Sequence, residues 1–209
     1  MLQKLSSFAG VPGPVVIIVM DGYGIPKTDA GSAIAAARKP TPDRLFADHP
    51  NIRLRAHATA VGMPADDDMG NSEVGHNAIG AGQVYSQGAA LVADAIASGA
   101  IWEGEAWQQI VAGAKAGRGT IHFIGLFSDG NVHSHIDHLK AMVVQAKAEG
   151  LKTVRIHALL DGRDVPETSA LDYVIPFETF LTEIITDGFD ARIGSVGGLQ
   201  KMTMDRYDA

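Results

Sequence analysis

The stretch that decides the fold begins Thr120-Ile121-His122-Phe123-Ile124-Gly125-Leu126-Phe127 and runs into Ser128-Asp129-Gly130-Asn131-Val132-His133-Ser134-His135. Residues 121–127 read as a strand, and the polar, glycine-bearing loop after them leads into a helix over roughly 136–149, closed by Gly150. The same order then repeats. A strand over 153–160 is followed by Asp161-Gly162-Arg163-Asp164 and a longer helix over 168–186, kinked at Pro176. A third strand, 191–195, runs into Val196-Gly197-Gly198. Strand, helix, strand, helix, strand implies right-handed crossovers and a parallel sheet. The loops at the strands' carboxyl ends then converge on one crevice, where open α/β sheets hold their ligands.

Upstream, residues 88–98 and 103–116 carry apolar residues at helical spacing. Residues 15–20, Val-Val-Ile-Ile-Val-Met, form a continuous apolar run that predicts a strand buried on both faces of a parallel sheet. It stops at Asp21-Gly22-Tyr23-Gly24, so Asp21 is either a ligand at a strand end or an ordinary turn residue. Residues 30–38 read as helical, Thr41 and Pro42 as cap and first turn of another helix, and 52–56 as a half-exposed strand. The change of pattern near 83–88 suggests a domain boundary, dividing the chain into 1–85 and 86–209.

Composition narrows the function. Hydrophobic residues make up 46% and charged residues 20% of the 209, as in ordinary globular proteins. The absence of cysteine excludes disulfides, thiolate catalysis and Cys-zinc sites. A net charge of −7 argues against a nucleic-acid or anionic-membrane surface, so a phosphate ligand needs local Arg, Lys, metal or helix N-termini. The 15–20 run is too short to span a bilayer and lacks a signal-peptide pattern, which makes the cytoplasm the default.

Two constellations carry chemistry. Asp68-Met69-Gly70-Asn71-Ser72-Glu73-Val74-Gly75-His76 places one hydroxyl at the start of a helix. Ser72 is there either a plain N-cap or a phosphoryl acceptor favoured by free N–H groups and the helix dipole. A serine nucleophile needs a base or a metal. His76, one turn on, is a candidate base; a divalent ion shared with Asp21 is the preferred alternative, and oxygen ligands suit Mg²⁺ or Mn²⁺. The second constellation is His133, His135, Arg163 and Asp164: an Arg fork for carboxylate or phosphate, an Asp for a hydroxyl, and a His that binds or shuttles a proton. The bland alternatives are a turn salt bridge and helix-start histidines.

These stretches, with Met204-Asp205-Arg206, occur in order along nearly the whole chain and resemble the cofactor-independent (2,3-bisphosphoglycerate-independent) phosphoglycerate mutases of the alkaline phosphatase superfamily. The ending Thr203-Met204-Asp205-Arg206-Tyr207 is most similar to the plant-type branch. The resemblance implies an α/β fold: part of a parallel-sheet, metal-binding phosphatase-like domain over 1–85, and part of an inserted α/β phosphotransferase domain over 86–209. It implies that Ser72 takes the phosphoryl group from 3-phosphoglycerate and returns it to give 2-phosphoglycerate. Asp21 and Ser72 would ligate one of two Mn²⁺ (or Mg²⁺) ions, and His133, Arg163, Asp164 and Arg206 would hold the substrate. The full-length protein would be monomeric and cytoplasmic, with no nucleic-acid or membrane partner.

Two departures qualify that expectation. Family members are much longer, so 209 residues are expected to be a fragment lacking the remaining metal ligands and showing little or no mutase activity alone. Leu199 stands where the family pattern has an arginine, and leucine cannot form a bidentate anion contact; Lys201 is a weaker substitute. The rival expectations are a related metallophosphatase or phosphopentomutase, and an inactive chain that only binds. A Rossmann nucleotide-binding module ranks last, because no Gly-x-Gly-x-x-Gly turn follows a strand.

Overall fold

The computed structural model describes residues 6–203. The chain divides between Leu54 and Arg55 into two compact units. The first holds two short helices, α1 (Ala33–Ala36) and α2 (Pro40–Asp48), neither with a buried residue. Helix α2 begins one residue pair earlier than expected: Lys39 is its cap and Pro40, not Pro42, opens it. A proline whose φ is already helical and whose missing N–H would be unsatisfied anyway suits that first position. The expected strands over 15–20 and 52–56 are not formed. Residues Val15 to Met20 run extended and unpaired, with Ile18 79% exposed, and Ile52 is 82% exposed. A β-branched run becomes a buried strand only when flanking strands take its backbone hydrogen bonds. All three strands among the described residues lie in the second unit and pair only with one another.

That unit opens with a 3₁₀ turn (Ala58–Val61), followed by α3 (Ser72–Ala81), α4 (Gly88–Ala97), α5 (Ala100–Glu103) and α6 (Glu105–Ala116). The repeat then appears as read: β1 (Thr120–Phe127), α7 (Ile136–Ala148), β2 (Thr153–Leu160), α8 (Ala170–Ile184), β3 (Asp190–Gly198) and α9 (Leu199–Thr203). The sheet has order β1-β2-β3 and is parallel throughout, from Thr120 opposite Thr153 to Leu160 opposite Gly198. β3 is longer than expected: residues 196–198, read as a loop, continue the ladder after an irregularity at Ile156/His157. Gly194 lies at that irregularity, where a Cβ would be 3.5 Å from the His157 ring.

The core forms where α6, α7 and α8 cover one face of the sheet. Trp107, Val111, Val143, Ala146, Phe177 and Leu181 meet Ile121, Phe127, Val154, Ile156 and Ala191. The Phe127 and Phe177 rings lie 4.8 Å apart, and Phe177 is fully buried. The other face is barer. Ile124 is 75% exposed, and a hydrogen-bonded chain crosses the strands from Ser195 Oγ to His157 Nδ1 (2.7 Å) and from His157 Nε2 to His122 Nδ1 (2.9 Å). A second, small cluster joins Val61 and Met63 to Val74 of α3, with Ala89 of α4 packed against it. Gln87 anchors the same region, its N–H donating to Gly62 O and its Nε2 to Val61 O.

Replacing Phe177 by alanine should lower the unfolding free energy of this chain by about 3–5 kcal/mol, because it removes a fully enclosed ring. Ile124→Ala on the bare face should change it by less than about 0.5 kcal/mol. Urea unfolding followed by circular dichroism tests the contrast.

Candidate active site

The loops after β1 and β2 form one structure. Ser128, buried at the end of β1, accepts the Gly130 N–H on its hydroxyl and the Ile136 N–H on its carbonyl. Ser134 Oγ donates to Leu126 O. His135 caps α7, its Nδ1 accepting the Asp137 N–H, which is the helix-start role rather than a ligand role. Tyr173 of α8 donates to Asp129 Oδ1 at 2.6 Å, and that bond holds the phenol in its neutral form and pushes its pKa up to about 12.

Asp161 organises the β2 loop. Its Oδ1 accepts three consecutive backbone N–H groups, from Gly162 (2.8 Å), Arg163 (2.9 Å) and Asp164 (3.1 Å). Burial pushes the Asp161 carboxyl up, but hydrogen bonding from Ser128 and from those N–H groups outweighs it and holds the pKa below its ordinary value. The turn sets Arg163 and Asp164 side by side, and Asp164 lies against the β1 loop: a Cβ on Gly130 would be 3.0 Å from Asp164 Cβ. His133 Nε2 is 3.9 Å from Asp164 Oδ2. Two buried carboxylate oxygens, Asp161 Oδ2 and Asp164 Oδ2, have no hydrogen-bond partner among the described residues. Acceptors of this kind are open to a further donor, such as a ligand hydroxyl.

Between the ends of β2 and β3 lies a cleft of about 390 Å³, lined by Asp161, Arg163, Glu167, Leu199 and Lys201 among others. Its cations, Arg163 and Lys201, come from two different strand ends, as convergence of the loops requires. Leu199 lines the same cleft, beside Arg163 and Lys201.

Ser72 is the first residue of α3 rather than its cap. Asn71 is the cap, its Oδ1 accepting the Val74 N–H at 3.0 Å. The amide oxygen spans that gap from the extended backbone of Asn71, which leaves the Ser72 hydroxyl free of the capping duty and exposed. The N–H groups of Ser72 and Glu73 stand in the first turn, where a helix offers no internal acceptor. His76 approaches Ser72 as its spacing predicts, with Nδ1 3.2 Å from Ser72 Oγ, but the same Nδ1 is 2.8 Å from Ser72 O. A carbonyl only accepts, so Nδ1 carries the proton and is not a base for the serine.

Of the other predicted site residues, Asp21 is exposed in a turn of the first unit, beside Gly22 at φ 72°. Arg206 lies outside the described residues. No three His, Asp or Glu side chains among the described residues come together to hold a metal ion. No helix among them is long and apolar enough to cross a membrane. One residue of the site region was missed from sequence. Asn131, at φ 53° and only 7% exposed, donates through Nδ2 to Asp68 Oδ1 at 2.9 Å. Asparagine in a Gly-bearing loop is the signal that a left-handed position was due there.

Fold and site define an α/β domain that gathers cations and carboxylates at adjacent strand ends, with a separate exposed serine at a helix start. Comparison with known proteins gives the family. The signature described as BPG-independent PGAM N-terminus (iPGM_N) matches residues 92–209, more than half of the chain. The chain belongs to the 2,3-bisphosphoglycerate-independent phosphoglycerate mutase family. It is 53% identical over 197 residues to a probable 2,3-bisphosphoglycerate-independent phosphoglycerate mutase of Leptospira interrogans, covering 93% of this chain and 36% of that one. It is 45% identical to the Zea mays 2,3-bisphosphoglycerate-independent phosphoglycerate mutase over 196 residues, again 93% of this chain and 35% of that. The crystal structure of Leishmania mexicana phosphoglycerate mutase at low cobalt concentration superposes with a TM-score of 0.78 at 49% identity, covering 91% of this chain and 35% of that one. The chain thus spans about a third of the length of these relatives.

The depressed Asp161 pKa has a sign that can be checked. A carboxyl held lower in the folded than in the unfolded chain stabilises fully above its unfolded value near 3.8 and loses that contribution as pH falls toward the folded value. Acidifying from about pH 5 to pH 3 should therefore shift the urea midpoint of the native chain downward more than that of Asp161→Asn, which cannot ionise.

Proposed function

We propose that the protein carrying this sequence interconverts 3-phosphoglycerate and 2-phosphoglycerate through a phosphoserine at Ser72. The observation that carries this is the gathering at adjacent strand ends of two carboxylates, Asp161 and Asp164, each with a buried oxygen that accepts no hydrogen bond among the described residues, and two cations, Arg163 and Lys201. A glycerate phosphate offers both halves of the match: hydroxyl donors for the carboxylates and anionic oxygens for the cations. His133, beside Asp164, contributes a further contact to the same molecule, and Arg206 completes the anion grip. The names of the relatives support the same reaction.

In the first half-reaction Ser72 Oγ forms a bond to phosphorus, the bond from phosphorus to the C3 oxygen breaks, and the serine proton ends on that oxygen. Glycerate, held by His133, Arg163 and Asp164, turns so that its C2 hydroxyl faces the phosphoserine. Transfer to that oxygen gives 2-phosphoglycerate and restores the serine. Because His76 Nδ1 is committed to the Ser72 carbonyl, activation of the hydroxyl needs another source. Oxygen donors such as Ser72 and Asp21 match the chemistry of Mn²⁺ or Mg²⁺, and two of them need further donors to make a ligand set. Such an ion, when bound, lowers the pKa of a coordinated hydroxyl; a relative studied at defined cobalt concentration supports a divalent metal. In this reading residues 1–85 belong to the metal-binding phosphatase-like domain and 86–209 to the phosphotransferase domain of a monomeric cytoplasmic enzyme. The net charge of −7 fits a small anionic substrate held locally rather than a nucleic-acid partner.

Incubating the full-length protein with 3-phosphoglycerate and manganese, then quenching in acid, should yield a phosphopeptide containing Ser72. Ribose 5-phosphate should not label it, and Ser72→Ala should abolish both label and turnover. Labelling by the ribose phosphate instead would assign the protein to the phosphopentomutase branch.

A further inference from the structure

The serine and the substrate loops belong to segments about sixty residues apart in sequence, yet a half-buried hydrogen bond ties them together. Asn131 Nδ2 donates to Asp68 Oδ1 at 2.9 Å. Asp68 lies four residues before Ser72, and its second oxygen, Oδ2, accepts the Ala65 N–H at 2.9 Å. One carboxylate therefore both closes the turn leading to the serine and receives the β1 loop. Asn131 is itself set for this role. Its φ of 53° is one of only two left-handed non-glycine values among the described residues, and asparagine tolerates that region where most side chains do not. The left-handed backbone turns the amide away from its own loop toward Asp68, while His133, two residues on, faces Asp164.

We infer that Asn131 and Asp68 are positioning residues, a tie that seats the serine-bearing turn on the loop that holds the substrate. The inference rests on the phosphoserine reading above and adds to it a residue pair whose polar contacts are to each other and to the turn before Ser72. An amide-to-carboxylate bond is a charge-assisted bond with a fixed direction, so it sets register as well as proximity. Loss of the tie leaves the substrate grip of Arg163, Asp164 and His133 intact and costs only the alignment of Ser72 with the transferred group. A small misplacement of a reacting atom slows a transfer by up to about a hundredfold without weakening binding.

The test uses the full-length protein with Asn131→Gly, which keeps the left-handed backbone and removes only the amide. Turnover should fall about ten- to a hundredfold, with KM for 3-phosphoglycerate within about twofold of the parent and phosphoserine formation at Ser72 slowed in parallel. Exchanging the partners, Asp68→Asn with Asn131→Asp, re-forms an amide-to-carboxylate bond across the same gap and should recover most of the lost kcat, whereas Asn131→Asp alone, facing Asp68, should be as slow as Asn131→Gly or slower. An Asn131→Gly protein with parental kcat, or a loss confined to KM, overturns the tie. So does an exchange variant no faster than its single parents. A parent protein that never labels at Ser72 overturns the functional reading and the tie together, and so is distinguishable from failure of the tie alone.

Discussion

The geometry of the site depends on one carboxylate oxygen. Three successive N–H groups converge on Asp161 Oδ1, and this convergence converts the end of a strand into a turn that displays Arg163 and Asp164. Without an acceptor there, the half-buried Gly162 and Asp164 would carry N–H donors with no partner, a cost that no local packing offsets. The parallel sheet supplies the other half of the arrangement. Because β1 and β2 run side by side in register from Thr120/Thr153 to Phe127/Leu160, their ends fall at the same height. Ser128 of one loop therefore meets Asp161 of the other, and Gly130 meets Asp164. Gly130 suits this point, where a Cβ would press to 3.0 Å from Asp164 Cβ and 3.1 Å from Asp164 O.

The βαβαβ core was legible because its signals are local and redundant. Apolar runs of strand length, glycine-bearing loops and helix-period stretches alternate, and each predicts the next. The parts that were not legible depend on partners. The run from Val15 to Met20 has the composition of a buried strand, but composition specifies only what a strand would need, and no neighbouring strand pairs with it among the described residues. The end of β3 failed in the opposite direction. Val196-Gly197-Gly198 looks like a loop by composition, yet pairing with Ala158, Leu159 and Leu160 extends the ladder through it. Glycine weakens an isolated strand, but a paired neighbour on one side overrides that preference.

The candidate site shows the same division. Arg163, Asp164 and His133 were read from chemistry-bearing residues at strand ends, and the structure brings His133 and Asp164 within 3.9 Å. Asn131 carries no charge and no metal-binding preference, so its type marks at most a left-handed turn position; the distant Asp68 gives it its role. The cap of α3 was misplaced by one residue for a related reason. Asn71 and Ser72 are both good caps, and their order is decided by which one keeps an extended backbone. That one-residue shift has a chemical consequence, since a serine acting as cap would spend its oxygen on Val74 N–H, whereas Ser72 retains it.

The histidine next to that serine illustrates how a contact can suggest the wrong chemistry. Ser72 Oγ and His76 Nδ1 lie 3.2 Å apart, the separation expected of a nucleophile and its base. The shorter contact, 2.8 Å from the same nitrogen to the Ser72 carbonyl, fixes the proton on Nδ1. The lone pair then sits on Nε2, which faces away from the hydroxyl by the geometry of a five-membered ring. Spacing of four along the helix thus delivers His76 to Ser72, but here the carbonyl one turn back is the nearer acceptor and takes the Nδ1 proton. The serine is left with an intact oxygen and no proton acceptor of its own. That is the condition under which a divalent cation, by lowering the pKa of a coordinated hydroxyl, is the more effective activator of the proposed nucleophile.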